Sequence, residues 1–131
     1  MNQWVKVAVG LGSNLEDRRK NIETALAKLQ EDLFEDPMQA SPIYESEPWG
    51  LKEQPRFLNA VCIGLTEWKP PAILNYLKSL ELELGRLSSV KNGPRLIDLD
   101  LLIYGDQEWQ SDGLQVPHPG LPIRSFVLLP L

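Results

Sequence analysis

Apolar and polar positions alternate most regularly between Ile97 and Ile103, where Ile97, Leu99, Leu101 and Ile103 are branched and apolar and Asp98 and Asp100 fall between them. A period of two predicts a strand with the four apolar side chains on one face and both aspartates on the other. Trp4 to Leu11 is β-branched and mostly apolar, which predicts a central strand, broken by Gly12-Ser13-Asn14. A helix follows, with Asn14 as its N-cap and Asp17 three residues on. Leu15, Ile22, Ala25, Leu26, Leu29 and Leu33 recur at helical spacing, so one face of about 20 residues packs on the sheet. A second strand is expected from Gln39 to Ser46, with Pro42 marking an edge or a bulge. The stretch from Glu47 to Pro55 is too rich in proline and glycine for an element and reads as a surface loop. Phe57 to Thr66 predicts a third strand, with Ala60, Cys62 and Gly64 on one side and Val61, Ile63 and Leu65 on the other. Lys69-Pro70-Pro71 opens a second helix. Its buried stripe is Ile73, Leu74, Leu77, Leu80 and Leu84, Gly85 ends it, and Glu81 and Glu83 read as solvated positions. A polar connection from Arg86 to Asn92 leads to the strand with the aspartates. After Gly105 a polar loop containing Trp109 leads to Val116-Pro117-His118-Pro119 and the closing Arg124 to Leu128.

The resulting order, β-α-β-β-α-β with a tail, is that of a ferredoxin-like α+β fold: a mainly antiparallel sheet with helices packed on one face. With 131 residues, 43% hydrophobic and 24% charged, one globular domain spanning 1–131 is expected. The net charge of −5 argues against a nucleic-acid partner. No apolar run approaches a membrane span, and Lys6, Gly10 and Gly12 interrupt the first apolar stretch, so no signal peptide is expected. The single cysteine, Cys62, excludes an internal disulfide framework, which fits a cytoplasmic protein, and it reads as a core residue.

The aspartates carry the chemistry. Side chains two apart on a strand point the same way, about 6.5–7 Å apart at Cα, and two carboxylates that close repel unless something positive lies between them. A divalent metal is the usual answer. Gly93-Pro94 fixes a turn that places the Arg95 guanidinium beside the pair, suited to phosphate oxygens. The bland alternative is a half-buried strand whose acidic face is simply solvated. Arg86, Arg95, His118 and Arg124 each adjoin glycine, proline or loop. With the aspartates they supply what phosphoryl transfer needs: metal ligands, and donors that neutralise developing charge. The Gly12-Ser13-Asn14 turn is not a phosphate loop, because it lacks the terminal Gly-Lys-Ser/Thr and is followed by Glu16 and Asp17.

Gly93-Pro94-Arg95-Leu96-Ile97-Asp98-Leu99-Asp100 resembles the signature of the 6-hydroxymethyl-7,8-dihydropterin pyrophosphokinase family of folate biosynthesis. So do Gly12-Ser13-Asn14, Gln54-Pro55-x-Phe57-Leu58-Asn59-Ala60, Glu81 to Arg86, Val116-Pro117-His118-Pro119 and Arg124-x-Phe126-Val127-Leu128-x-Pro130-Leu131, in order and spacing. The resemblance implies an enzyme that transfers diphosphate from ATP to the hydroxymethyl group of the reduced pterin and releases AMP. It implies that Asp98 and Asp100 hold two Mg²⁺ ions, with Asp98 also near the pterin. It assigns Arg86, Lys91, Arg95, His118 and Arg124 to ATP, with Arg86 and Arg95 counted among the catalytic groups, and Leu101, Leu114 and Gln115 to the surroundings of the adenine. It further implies that Asn59 bonds the pterin edge, Phe57 and Phe126 sandwich its ring, and Ser46, Pro48 and Trp49 line it. Glu81 falls where the family has an acidic residue near the substrates.

Against that pattern, the segment from Arg86 to Gly93 is about one residue shorter, carries Lys91-Asn92 where an arginine and an aromatic are common, and is expected to act as a lid. The chain also closes at Pro130-Leu131, where family members continue, so a domain lacking the C-terminal extension is expected. The alternatives are a non-catalytic pterin- or nucleotide-binding module, a two-metal phosphohydrolase and, most remote, an RNA-binding sheet. The oligomeric state is left open, a monomer among the alternatives.

Overall fold

The computed structural model describes residues 4–13, 17–46, 57–84, 97–111 and 114–116. They form β1 (Val5–Ser13), α1 (Arg18–Asp32), β2 (Glu35–Ala40), β3 (Tyr44–Ser46), β4 (Phe57–Thr66), α2 (Pro70–Glu83), β5 (Asp98–Tyr104), β6 (Trp109–Ser111) and β7 (Leu114–Val116). The main sheet runs β2-β4-β1-β5, with β3 also on β4, and all these pairings are antiparallel. Each helix therefore links two strands that have a third between them, which is the split βαβ arrangement of the expected ferredoxin-like fold. β1 is central, as its β-branched run predicts.

Both helices cover one face of this sheet. Ile22, Ala25 and Leu29 of α1 and Ile73, Leu77 and Leu80 of α2 are buried with Val7, Val9 and Leu11 of β1 and with Ala60 and Cys62 of β4. Burial pushes the Cys62 thiol up to about 12, so at neutral pH it is a protonated core group and not a nucleophile. At the rim, the Tyr76 hydroxyl donates to Asp32 Oδ2 at 2.6 Å, which ties α2 to the end of α1.

Several boundaries differ from the expectation. β1 does not break at Gly12 but continues through Ser13, because Gly12 and Ser13 still have partners in β4. The N-cap of α1 is Asp17, whose Oδ1 accepts the Lys20 N–H at 3.1 Å; Asn14 and Leu15 lie outside the described residues. The buried Ser13 hydroxyl takes the Asn21 side-chain amide at 3.1 Å, pinning α1 to the end of β1. The expected strand 39–46 is two strands. Its pairing with β4 already begins at Glu35, and the register shifts between Glu35 and Gln39, the stretch that contains Pro37. Pro42, which has no N–H to give, falls in the gap between β2 and β3. Just before it, Ser41 keeps the chain on β4: its N–H donates to the Val61 carbonyl at 2.8 Å and its Oγ accepts the Val61 N–H at 2.9 Å.

β5 also departs from strict alternation. Leu101 pairs with Val9, but Ile103, not Leu102, pairs with Ala8. That one-residue bulge turns Ile103 to the face away from the helices, where it packs beside Ala8, Val61 and Leu102. The same shift brings Tyr104, which strict alternation would turn away from the helices, into the main core, its hydroxyl donating to the Trp68 carbonyl at 2.9 Å. Trp109 is not in a polar loop. It begins the β6-β7 hairpin and meets Tyr104 edge-on, with ring centroids 6.3 Å apart.

Gly64 shows how tightly the helix-side face is packed. A Cβ there would stand 2.6 Å from Cγ and Cδ1 of the buried Phe34 ring. Gly64→Val is therefore expected to cost about 1–3 kcal/mol or more by overpacking. A urea unfolding midpoint lowered at unchanged slope measures that cost.

Candidate active site

The open face of the sheet, opposite the helices, brings the chemistry together through strand register alone. Gly12 is paired with Asn59 on one side and with Asp98 on the other, and Asn59 is paired in turn with Tyr44. Directly opposed residues of antiparallel strands project to the same face. Tyr44, Asn59, Gly12 and Asp98 thus form a row across four strands. In the next row Gly10 lies between Val61 and Asp100. Two interstrand spacings set the Asn59 and Asp98 Cα atoms roughly 10 Å apart, and the glycine between them contributes no side chain. Gly12 itself is buried, and over Gly10 the face is narrow: a Cβ on Gly10 would meet Leu102 Cδ1 at 3.2 Å. The apolar cluster of Ala8, Val61 and Leu102 continues this face beyond the two rows.

Asp98 is half-buried and Asp100 exposed, both at the start of edge strand β5. Among the described residues no three His, Cys, Asp or Glu side chains converge as a cation site. A pair of carboxylates is nevertheless the donor set that suits Mg²⁺. That ion takes oxygen ligands, keeps several waters and is commonly held by one or two carboxylates together with substrate phosphates.

The other expected site residues divide into three groups. Asn59 stands opposite Asp98 across Gly12. Phe57 and Ser46 are register partners one step further out between β4 and β3, and Phe57 precedes Asn59 by two on the same strand. Leu101 is buried on the helix side, so its side chain belongs to the core. Leu114 and Gln115 lie on β7, paired with Ser111 and Gln110. Pro48, Trp49, Arg86, Lys91, Arg95, His118, Arg124 and Phe126 lie outside the described residues.

Glu81 corrects the reading from sequence. It is not solvated but 4% exposed, and its Oε2 accepts the backbone N–H of Leu99, the residue between the two aspartates, at 2.8 Å. The signal was present in the stripe. Position 81 follows Leu77 by four and adjoins Leu80, which places it within the apolar arc of α2. Glu83 does face solvent, 3.5 Å from Lys28 Nζ.

These observations define an α+β domain of ferredoxin-like topology that presents a carboxylate pair from its edge strand across a glycine floor to an amide side chain. The model of the 7,8-dihydro-6-hydroxymethylpterin-pyrophosphokinase family matches residues 8–131. The chain belongs to that family. It is 40% identical over 126 residues to the 2-amino-4-hydroxy-6-hydroxymethyldihydropteridine pyrophosphokinase of Pseudomonas aeruginosa, covering 96% of this chain and 78% of that protein. To the enzyme of the same name from Aquifex aeolicus it is 42% identical over 125 residues, covering 95% and 77%. A folic acid synthesis protein of Schizosaccharomyces pombe is 42% identical over 123 residues, covering 94% of this chain. The chain spans only 17% of the length of that fungal relative. No helix among the described residues is long and apolar enough to cross a membrane.

Proposed function

We propose that this chain acts as a pyrophosphokinase domain within residues 1–131, transferring the terminal diphosphate of ATP to the hydroxymethyl group of 6-hydroxymethyl-7,8-dihydropterin, in the cytoplasm. The observation that carries the reading is the register of β4, β1 and β5, which sets Asn59 opposite Asp98 across Gly12, with Asp100 in the adjacent row beside Gly10. Family membership and the names of the bacterial relatives support it. In the reaction the pterin hydroxymethyl oxygen bonds to the β-phosphorus of ATP and gives up its proton. The bond from that phosphorus to the α,β-bridging oxygen breaks, AMP leaves with the oxygen, and the proton passes to solvent.

Each residue's part follows from its chemistry. A flat pterin presents an edge of alternating donors and acceptors, which the Asn59 amide can match with both an N–H and a carbonyl oxygen. Its faces suit aromatic rings, the role of Phe57 and Phe126, with Ser46, Pro48 and Trp49 around the ring. Asp98 and Asp100 hold Mg²⁺, two ions in this proposal. Bound there, the metal neutralises charge on the phosphate oxygens. Arg86, Arg95, His118 and Arg124 hold the same phosphates, and Lys91 adds a point charge without the bidentate geometry of arginine. Leu114 and Gln115 border the adenine, with Leu101 offering it main chain only. No general base is invoked, which suits a reaction run by positioning and charge neutralisation.

AMP formation from ATP and Mg²⁺, with and without the hydroxymethyl-dihydropterin, tests this reading. AMP that appears only with the pterin is the expected result. Pterin binding without AMP would make the chain a binding module, and inorganic phosphate released without pterin would make it a phosphohydrolase.

A further inference from the structure

We infer that Glu81 is a positioning residue for the cation site: it sets the aspartate pair by holding the main chain between them. The inference rests on the reading of Asp98 and Asp100 as metal-holding groups. A buried carboxylate on a helix is costly unless it is hydrogen-bonded, and this one is bonded to the site strand itself. β5 is an edge strand with β1 on one side only in the main sheet. In an antiparallel ladder, alternate residues exchange bonds with the partner strand. The Leu99 N–H goes to Glu81, so Asp98 and Asp100 are the residues whose main chain faces Gly12 and Gly10 of β1. Three consecutive residues are thereby fixed from both edges: the outer two by the central strand, the middle one by α2.

Such fixing matters because metal sites tolerate only about 0.2 Å in ligand distance, and an unpaired strand edge is free to shift. Glu81 does not serve as a third ligand, since among the described residues no three such side chains converge on a cation site. In this proposal its influence on the cation passes through the Leu99 amide.

Two conservative variants separate this role from the others. Glu81→Gln keeps the length of the side chain and an acceptor oxygen but removes the charge. Glu81→Asp keeps the charge but withdraws the oxygens by one methylene. Amide exchange at Leu99 and a Mn²⁺ titration followed by broadening of the 98–100 amides read the site without turnover. The Mg²⁺ concentration for half-maximal AMP formation reads it with turnover. Positioning predicts that Glu81→Asp speeds Leu99 exchange at least tenfold and raises both cation midpoints at least tenfold. Glu81→Gln should stay within threefold, and the KM for pterin should move by less than threefold in either variant. If Glu81→Gln weakens cation binding while Glu81→Asp does not, the charge acts directly and the proposal is wrong. Unchanged cation midpoints in both variants, or failure of both to fold, would assign Glu81 to stability alone and overturn it as well. Absence of AMP formation by the native chain would count against the enzymatic reading, while exchange and Mn²⁺ binding would still decide the role of Glu81.

Discussion

Asp98→Ala and Asp100→Ala are each expected to lower kcat/KM for AMP formation on the order of 10³-fold or more, with little change in the unfolding midpoint. The asymmetry between the two effects follows from where the side chains stand. Both project from the open face of an edge strand, one half-buried and one exposed, so removing either leaves no cavity in the core. The core on the other side of the same strand is carried by Leu99 and Leu101. In the proposed reaction the carboxylates would hold the cation that neutralises the diphosphate, and with one gone that cation would lose half of its proposed protein oxygen donors. Parallel rate and urea measurements check both parts. A variant that keeps near-native turnover would remove that aspartate from the metal role. A variant that loses activity only as it unfolds would make it structural.

Much of this site could be read from sequence because it is written in strand periodicity. Asp98 and Asp100 share a face by their spacing alone, and so do Phe57 and Asn59. What spacing cannot supply is register. That Gly12 stands between Asn59 and Asp98 depends on β1 continuing two residues past its apolar run, and local propensity argues for a break at Gly12-Ser13. Tertiary pairing with β4 overrides it. The fate of Ile103 was hidden for a related reason: a bulge is set by how two strands fit, and the alternation of β5 carries no mark of it before Leu102. Glu81 was missed differently. The stripe of α2 placed it on the buried arc, but a charged residue defaults to solvent unless a partner is known, and its partner is a main-chain N–H that any sequence would provide.

Gly12 carries the other large effect. Glycine inside a strand ordinarily costs about 0.5–1 kcal/mol relative to alanine, and it is justified where the backbone needs a positive φ or where space is needed. The first reason fails here, since among the described residues the positive-φ glycine is Gly105, at +56°. The second reason fits its place in the register: a side chain on the buried Gly12 would stand between Asn59 and Asp98, where the pterin is proposed to lie. Gly12→Leu is therefore expected to weaken pterin binding at least 100-fold and Gly12→Ala at least tenfold, with Mg²⁺·ATP affinity held within threefold. Gly12→Ala should unfold at the same urea concentration as the native chain or a higher one, by up to about 1 kcal/mol. Calorimetric titration of each ligand and urea unfolding of each variant test this together. Lower stability with intact pterin affinity would mean that the glycine serves strand packing, and that the pterin lies elsewhere. A stable variant that has lost pterin alone would show that the central strand gives up stability to keep the floor clear.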